Sequence, residues 1–374
     1  MESTGERYMM ITQLTPRFAP GVKLELNVDG IARKLTLSSN FEKHDFLYLV
    51  KRKCERPLGP KSELFIWDEN RVASSRVIHT LQKPALGFVL DTKQEIALLF
   101  EESSQVSLVS VPEGKLLKRV KLPDFSIEGT LHPFDPYFLV ILDNREIWKV
   151  DHQGNTTKVP LRCPSPPSGA IIISPKGDKF AISLNAAKFD KVSTSLINIY
   201  NIESGELIAT YSGALSAFNA LQNLPKSNSF IASQTTGALV EINWQDGALI
   251  KEYIKAPSEI TLSNVSPGFN EICVIKGLTT LEVMNFPAMT NSLDFRNFET
   301  NPLRELKWTE DSTRLFGWGF DGSIFFWDAR TGLELLKLNA HEGHVVGVVE
   351  LLGGRKYLSL GKDNQLKLWD AEPN

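Results

Sequence analysis

The chain has 374 residues, 42% of them hydrophobic, and a formal net charge of −3. That apolar content can fill a sizeable core, while the near-neutral balance excludes a global attraction to nucleic acid or to membrane surfaces. The three cysteines, Cys54, Cys163 and Cys273, stand at no metal or redox spacing, which argues against a disulfide framework and for a reducing compartment.

The N-terminal stretch MESTGERYMMITQL has neither the basic start nor the apolar core of a signal peptide. No run approaches about 18 consecutive apolar residues, so no membrane span is expected. The expected location is intracellular, cytoplasmic or nuclear.

From there the chain reads as strands and turns, with no helix of useful length. LFIWDE, near Trp67, is the first strand to end on an apolar anchor followed by an acid. Comparable strand ends recur near Val111, Val150, Tyr200, Trp244, Phe286, Trp327 and Trp369. Their steps are roughly 39 to 50 residues, around the roughly 40–45 of a four-stranded propeller blade. Two further signals keep this beat. Turns such as ISPKGDKFAIS and VSPGFNEICVI join a polar break to an alternating apolar strand, which is a hairpin pattern. After the anchors, EGKLLKRV, SGELIATY, DGALIKEY and TGLELLKL each read as a tight turn into an outer strand.

The stretch GWGFDG, Gly317 to Gly322, has the G-x-G-x-x-G spacing of dinucleotide-binding loops. Such glycines must open a helix whose N-terminus holds the pyrophosphate. Here Ser-Ile-Phe-Phe-Trp follows, rich in strand formers and without a cap or a 3.6 period. The glycines therefore belong to a hairpin.

On these three signals the chain resembles the WD40-repeat family. The best match is residues 344–370, HVVGVVELLGGRKYLSLGKDNQLKLWD. Elsewhere other residues replace the Trp-Asp pair. The resemblance implies an all-β fold: a single closed β-propeller of four-stranded antiparallel blades. Eight anchors make eight blades the preferred count and seven the alternative. Residues 1–21 read as an N-terminal tail and 22–374 as the ring, whose last blade is closed by an N-terminal strand. Val22 to Val28 is the candidate for that strand, and RYMMITQL the second choice. Closure would leave few unpaired edges.

The resemblance also implies a hydrogen-bonded tetrad of His344, Ser359, Asp363 and Trp369 in the last blade. A His–Ser–Asp trio invites a hydrolase reading as well. The structural role is preferred, because a buried indole N–H and a buried hydroxyl both need partners. His341 and His344 flank Glu342, but no further metal ligands stand near.

Candidate partner-binding residues fall in two long loops. Residues 50–62 carry Lys51, Arg52, Lys53 and Arg56, and residues 184–194 carry Lys188 and Lys191. Both loops join the second and third strands of a blade, so they would share one face, the face that the resemblance implies for partners. They are either solvated insertions or a basic patch for an acidic surface or peptide, or for RNA phosphates. The loops lack the aromatic interleaving that nucleic-acid binding favours. Phe316, Trp318 and Phe320 alternate along one strand, as packing between blades requires. The alternative is that Trp318 or Phe320 surfaces as a binding anchor.

No catalytic, cofactor or metal constellation emerges, and the six histidines are scattered. The expected function is a non-enzymatic protein-interaction scaffold within a multi-protein assembly, with no small-molecule substrate. The alternative is a ribonucleoprotein-associated scaffold, in ribosome assembly or translation, touching RNA through the basic loops. A propeller lactonase or hydrolase comes last.

Overall fold

Each repeat folds as four consecutive antiparallel strands, because its apolar residues alternate and its turns place suitable residues at positive φ. Blade six illustrates this with strands Leu303–Trp308, Arg314–Gly319, Ser323–Asp328 and Glu334–Asn339. Its turns contain Ser312, Gly322 and Gly332, with φ of 57°, 85° and 69°. Gly317 and Gly319 lie in the second strand and Gly322 in the hairpin turn, so the glycine-rich stretch is the expected hairpin.

The structure, a computed structural model, describes residues 75–185, 195–214, 217–224, 227–255, 260–276, 280–295, 303–351 and 353–370. It also describes the backbone of strands at 9–10, 23–28, 31–36, 45–49 and 65–68. Seven four-stranded blades occupy residues 85–121, 126–162, 167–214, 218–254, 260–295, 303–339, and 345–370 together with Ser75–Thr80. First strands contact one another between blades one and two, two and three, three and four, five and six, and seven and one, and the sheets form a ring. Among the described residues there is no helix.

The preferred count of eight gives way to seven. The strand bearing Trp67, Phe65–Asp68, belongs to a three-stranded sheet with Asp45–Leu49 and Met9–Met10. A tryptophan-ended strand is a local pattern, and blade membership depends on pairing, which the pattern does not encode. The closing strand also differs from the expected Val22 to Val28. Lys23–Val28 is paired along its length with Ile31–Thr36, from Lys23 opposite Thr36 to Val28 opposite Ile31. Asp29-Gly30 between them is a strong two-residue hairpin signal, so this strand's partner is its own neighbour. By compactness the chain divides into residues 76–368 and a second unit of residues 1–75 with 369–374.

Ser75–Thr80 fills the outer place of blade seven. The Arg76 guanidinium donates to the Pro112 carbonyl at 2.9 Å, and His79 Nδ1 lies 3.2 Å from the Gly114 carbonyl. On the other side of the seam, the Asn364 carbonyl accepts from Leu81 N at 2.9 Å, and its Oδ1 accepts from Ala85 N at 3.0 Å.

The core consists of layers between blades. Leu99 and Val109 of blade one meet Leu358, Leu360 and Leu366 of blade seven. Phe138 and Val140 of blade two meet Leu98, Phe100 and Leu108 of blade one. Between blades six and seven the layer is aromatic: Phe316 and Phe326 stack at 6.1 Å, and Tyr357 meets Phe326 edge-on at 4.9 Å. Each fully buried side chain of this size contributes about 1.5–3 kcal/mol. Exposed ion pairs such as Lys158–Glu146 contribute about 0–1 kcal/mol, so the layers dominate.

Candidate functional site

Two constellations stand out: a polar network in blade seven and a cavity at the ring's centre. The network is built on the turn between Lys356–Gly361 and Gln365–Asp370 and on the loop entering the blade. His341 Nδ1 lies 2.9 Å from Asp363 Oδ1, and its Nε2 lies 2.6 Å from Ser359 Oγ. Asp363 also accepts from the backbone N–H of Gln365 at 3.1 Å and of Glu342 at 3.3 Å. Burial holds the His341 pKa below its ordinary value, against the pull of Asp363. The ring is therefore neutral, with Nδ1–H donating to Asp363 and Nε2 accepting from the Ser359 hydroxyl.

This connectivity matches that of a nucleophilic triad, but its surroundings do not. Ser359 is 0% exposed, and none of the three residues lines the central cavity or the smaller one beside Trp244. A hydroxyl that no substrate can reach serves as a brace. Trp369, the fourth expected member, is buried at 5% exposure.

The histidine in this network is His341 and not the expected His344. Gly343, at φ 82°, turns the chain between them. The His344 ring instead meets Phe320 edge-on at 4.9 Å, and its carbonyl accepts from Lys362 N. His341 can lie across the sheet because position 361 is glycine; a Cβ there would collide with the imidazole. That glycine, two residues after Ser359, is the sequence signal that could have separated the two histidines.

The other expected site residues separate. Trp318 is fully buried, whereas Phe320 is 45% exposed beside His344. Trp318 therefore packs within the strand, while Phe320 lies just past its end at Gly319, in the turn, and surfaces. Lys51, Arg52, Lys53, Arg56, Lys188 and Lys191 lie outside the described residues.

The central cavity has a volume of about 910 Å³ and is walled by the first strands of the blades. Among the described residues its charged lining groups are Glu128, Arg304, Glu305 and Lys307. Lys307 Nζ sits 3.1 Å from Glu305 Oε1 and 5.3 Å from the Trp318 ring centroid. Trp318 also lines this wall, and its Nε1 is fully buried without a hydrogen-bond partner among the described residues. Glu128 Oε1 accepts from Gly129 N at 3.1 Å. Burial pushes the Glu128 carboxyl up to about 7, opposed by the Gly129 bond, raised further by Glu305, and opposed by Lys307 and Arg304. Among the described residues no cluster of three or more His, Cys, Asp or Glu is gathered as a metal site would need.

The ring of seven blades and the blade-length repeat define a β-propeller, and with the His–Ser–Asp brace it is consistent with a diverged WD40-repeat family. No family model matches the chain. The chain is similar to eukaryotic translation initiation factor 3 subunit I of Emericella nidulans, 24% identical over 211 residues, which is 50% of this chain and 62% of that protein. Subunit I of Aspergillus terreus is 24% identical over 183 residues, 44% of this chain and 53% of that one. Protein HIR1 of Cryptococcus neoformans is 29% identical over 96 residues, covering 26% of this chain and 10% of that protein. The matches thus span little more than half of the translation-factor subunits and a tenth of HIR1.

Proposed function

We propose that this chain is a non-enzymatic protein-interaction scaffold, one member of an intracellular multi-protein assembly. The observation that carries the reading is the 211-residue similarity to a subunit of a translation initiation factor. The fold alone names no function. What it supplies is a ring with layered cores, on which loops vary without cost to the blades. An acidic surface or peptide is the proposed partner chemistry, met by the loops that carry Lys51, Arg52, Lys53, Arg56, Lys188 and Lys191.

The test is an affinity pull-down of the full chain from native extract, analysed by mass spectrometry with and without RNase. A fixed set of co-purifying proteins that survives RNase supports the scaffold. Recovery of no stable partner overturns it. A second reading, in which the basic loops touch RNA within a ribonucleoprotein, is favoured by the word "translation" in the relatives' names. It predicts that partners are lost on RNase treatment. Replacing Lys51, Arg52 and Lys53 with Glu should weaken capture at low and moderate salt while the melting curve stays unchanged, because charges outside a core act mainly on encounter.

A further inference from the structure

The outer strand of each blade is paired on one side only. That of blade one, Leu116–Lys121, reads LLKRVK and carries three lysine or arginine residues and no acid. Lys115 precedes it, and the nearest acids in sequence, Glu113 and Asp124, lie in the connections on either side. The outer strand of blade two has two such cations, but Pro160 interrupts it. Those of blades three to seven carry at most one. Leu116, Leu117, Lys118, Arg119 and Lys121 are all exposed, Leu117 at 46%. Lys115, Arg119 and Lys121 make no ion pair among the described residues.

Pairing with the neighbour, Gln105–Ser110, decides which peptide groups of this strand stay open. The Leu122 N–H donates to the Ser104 carbonyl at 2.8 Å. From there the pairing runs without a shift, Lys121 opposite Gln105, Val120 opposite Val106, Arg119 opposite Ser107 and Lys118 opposite Leu108. In an antiparallel ladder the peptide groups alternate toward and away from the neighbour. Val120 and Lys118 therefore point theirs inward, and Arg119 and Lys121 each present an N–H and a C=O to the open side. Side chains alternate as well, between the two faces of the sheet. Lys118 and Val120 flank Gly154 of blade two, and Lys118 Nζ donates to the Gln153 carbonyl at 2.9 Å. Arg119 and Lys121 stand on the opposite face.

An open edge of this kind can take on a further strand. Lysines along it deter a neutral or basic strand, which is how edges avoid self-association. An acidic strand meets no such penalty, because opposite charges across a ladder add to the pairing. We propose that the outer strand of blade one is a docking edge for an acidic extended segment of a partner protein. The segment adds as a fifth strand and sets acidic side chains, two residues apart, against Arg119 and Lys121. Nucleic acid fits less well, since LLKRVK has no aromatic ring on which bases could stack and a sugar-phosphate chain cannot continue a peptide ladder. The inference deepens the scaffold reading and rests on it for the partner being a protein, while it places this contact on a blade edge and not on the basic loops.

The experiment is fluorescence anisotropy of labelled probes titrated with the full chain at low salt. The first probe is the blocked hexapeptide Thr-Glu-Val-Glu-Val-Thr. The second carries lysine in place of both glutamates, the third is the first with its central residues N-methylated, and the fourth is oligouridine. Saturation of the acidic peptide below about 1 mM, with none for the lysine or N-methylated peptide, supports the docking edge. Replacing Arg119 and Lys121 together with Gln should weaken the acidic peptide about fivefold to tenfold with an unchanged melting curve, because both positions are exposed. If that variant does not fold, the N-methylated peptide on the wild type decides alone, since it keeps the charges and removes the ladder. The proposal is overturned by no saturation with the acidic peptide, by equal binding of its N-methylated form, by a variant that binds like the wild type, or by tighter binding of oligouridine. Purified peptide and native extract are separate readouts, so the docking edge and the scaffold can fail separately.

Discussion

Among the described residues two histidines are buried, and they are satisfied in opposite ways. In blade seven, His341 spans two side chains, Ser359 on one nitrogen and Asp363 on the other. In blade two, His132 engages backbone: Nε2 lies 2.9 Å from the Gly177 carbonyl, and Nδ1 accepts from Asp135 N at 2.8 Å. Its ring also stacks on Tyr137 at 4.6 Å. Both imidazoles pin a turn to its neighbour. The first does so through residues that selection can read and mutation can remove one by one. The second draws on carbonyls and amides that any residue would supply. A side-chain brace leaves a motif in the sequence, and a backbone brace leaves almost none.

The largest expected effects come from the glycines beside these rings. Gly322 has φ 85°, and a Cβ there would collide with the His341 carbonyl. Gly322→Ala should cost about 3 kcal/mol or more, read as a large fall in melting temperature. If Gly322→Ala melted like the wild type, the loop that holds His341 would not be rigid. Gly177, at φ 74°, plays the same part for His132, with a Cβ placed 2.7 Å from Nε2.

Next comes the contrast between the braces themselves. Asp363→Ala leaves the His341 Nδ1–H and the N–H groups of Gln365 and Glu342 unpaired, at about 1–3 kcal/mol for each that stays buried. His132→Ala removes hydrogen bonds to backbone groups only and leaves no buried charged side chain without its partner, so it should cost less, about 1 kcal/mol. Chemical denaturation of both variants checks the order, and a larger loss for His132→Ala would reverse the comparison. Gly343→Ala serves as a scale. Its φ is 82° but nothing lies within 4 Å of the added Cβ, so the backbone conformation alone should cost about 1 kcal/mol.

The smallest effect is an acid limb particular to blade seven. Burial keeps the folded pKa of His341 below the ordinary value of about 6.5. The unfolded chain therefore takes up this proton first, and stability present above about pH 6.5 declines as pH falls below it. Burial would raise the Asp363 carboxyl, but the His341 ring and the Gln365 and Glu342 amides hold it below its usual range. Its share of stability is lost later, below about pH 4. Melting curves across this range should show the first step vanish in His341→Gln. A step that survives that substitution belongs to another group.

The blade repeat was legible because strand-ending apolar anchors and glycine turns are properties of single hairpins. The ring's closure was not, since Lys23–Val28 and Ser75–Thr80 are both plausible strands and only long-range pairing separates them. Ser359 and Asp363 were found by their positions in the best-matching blade. His344 was chosen over His341 because the turn at Gly343 is invisible in a linear comparison. The charges at Glu128, Arg304, Glu305 and Lys307 were passed over for a different reason. A charged residue in an alternating strand reads as solvent-facing, and sequence does not distinguish bulk water from the confined water of a central cavity.

The strand Ser75–Thr80 has a consequence for how the molecule is made. It leaves the ribosome roughly 290 residues before Gln365–Asp370, its neighbour in the sheet, and at typical synthesis rates waits on the order of tens of seconds. Through that interval an unpaired strand is a template for the wrong partner. Ser75, Arg76, Val77 and Thr80 remain exposed even in the finished ring, so this strand carries little stickiness while it waits. The last hydrogen-bonded ladder of the ring to form joins one of its earliest segments to its latest, and the barrier to closing so long a loop falls after Gln365–Asp370 has been made, when six blades can already have folded.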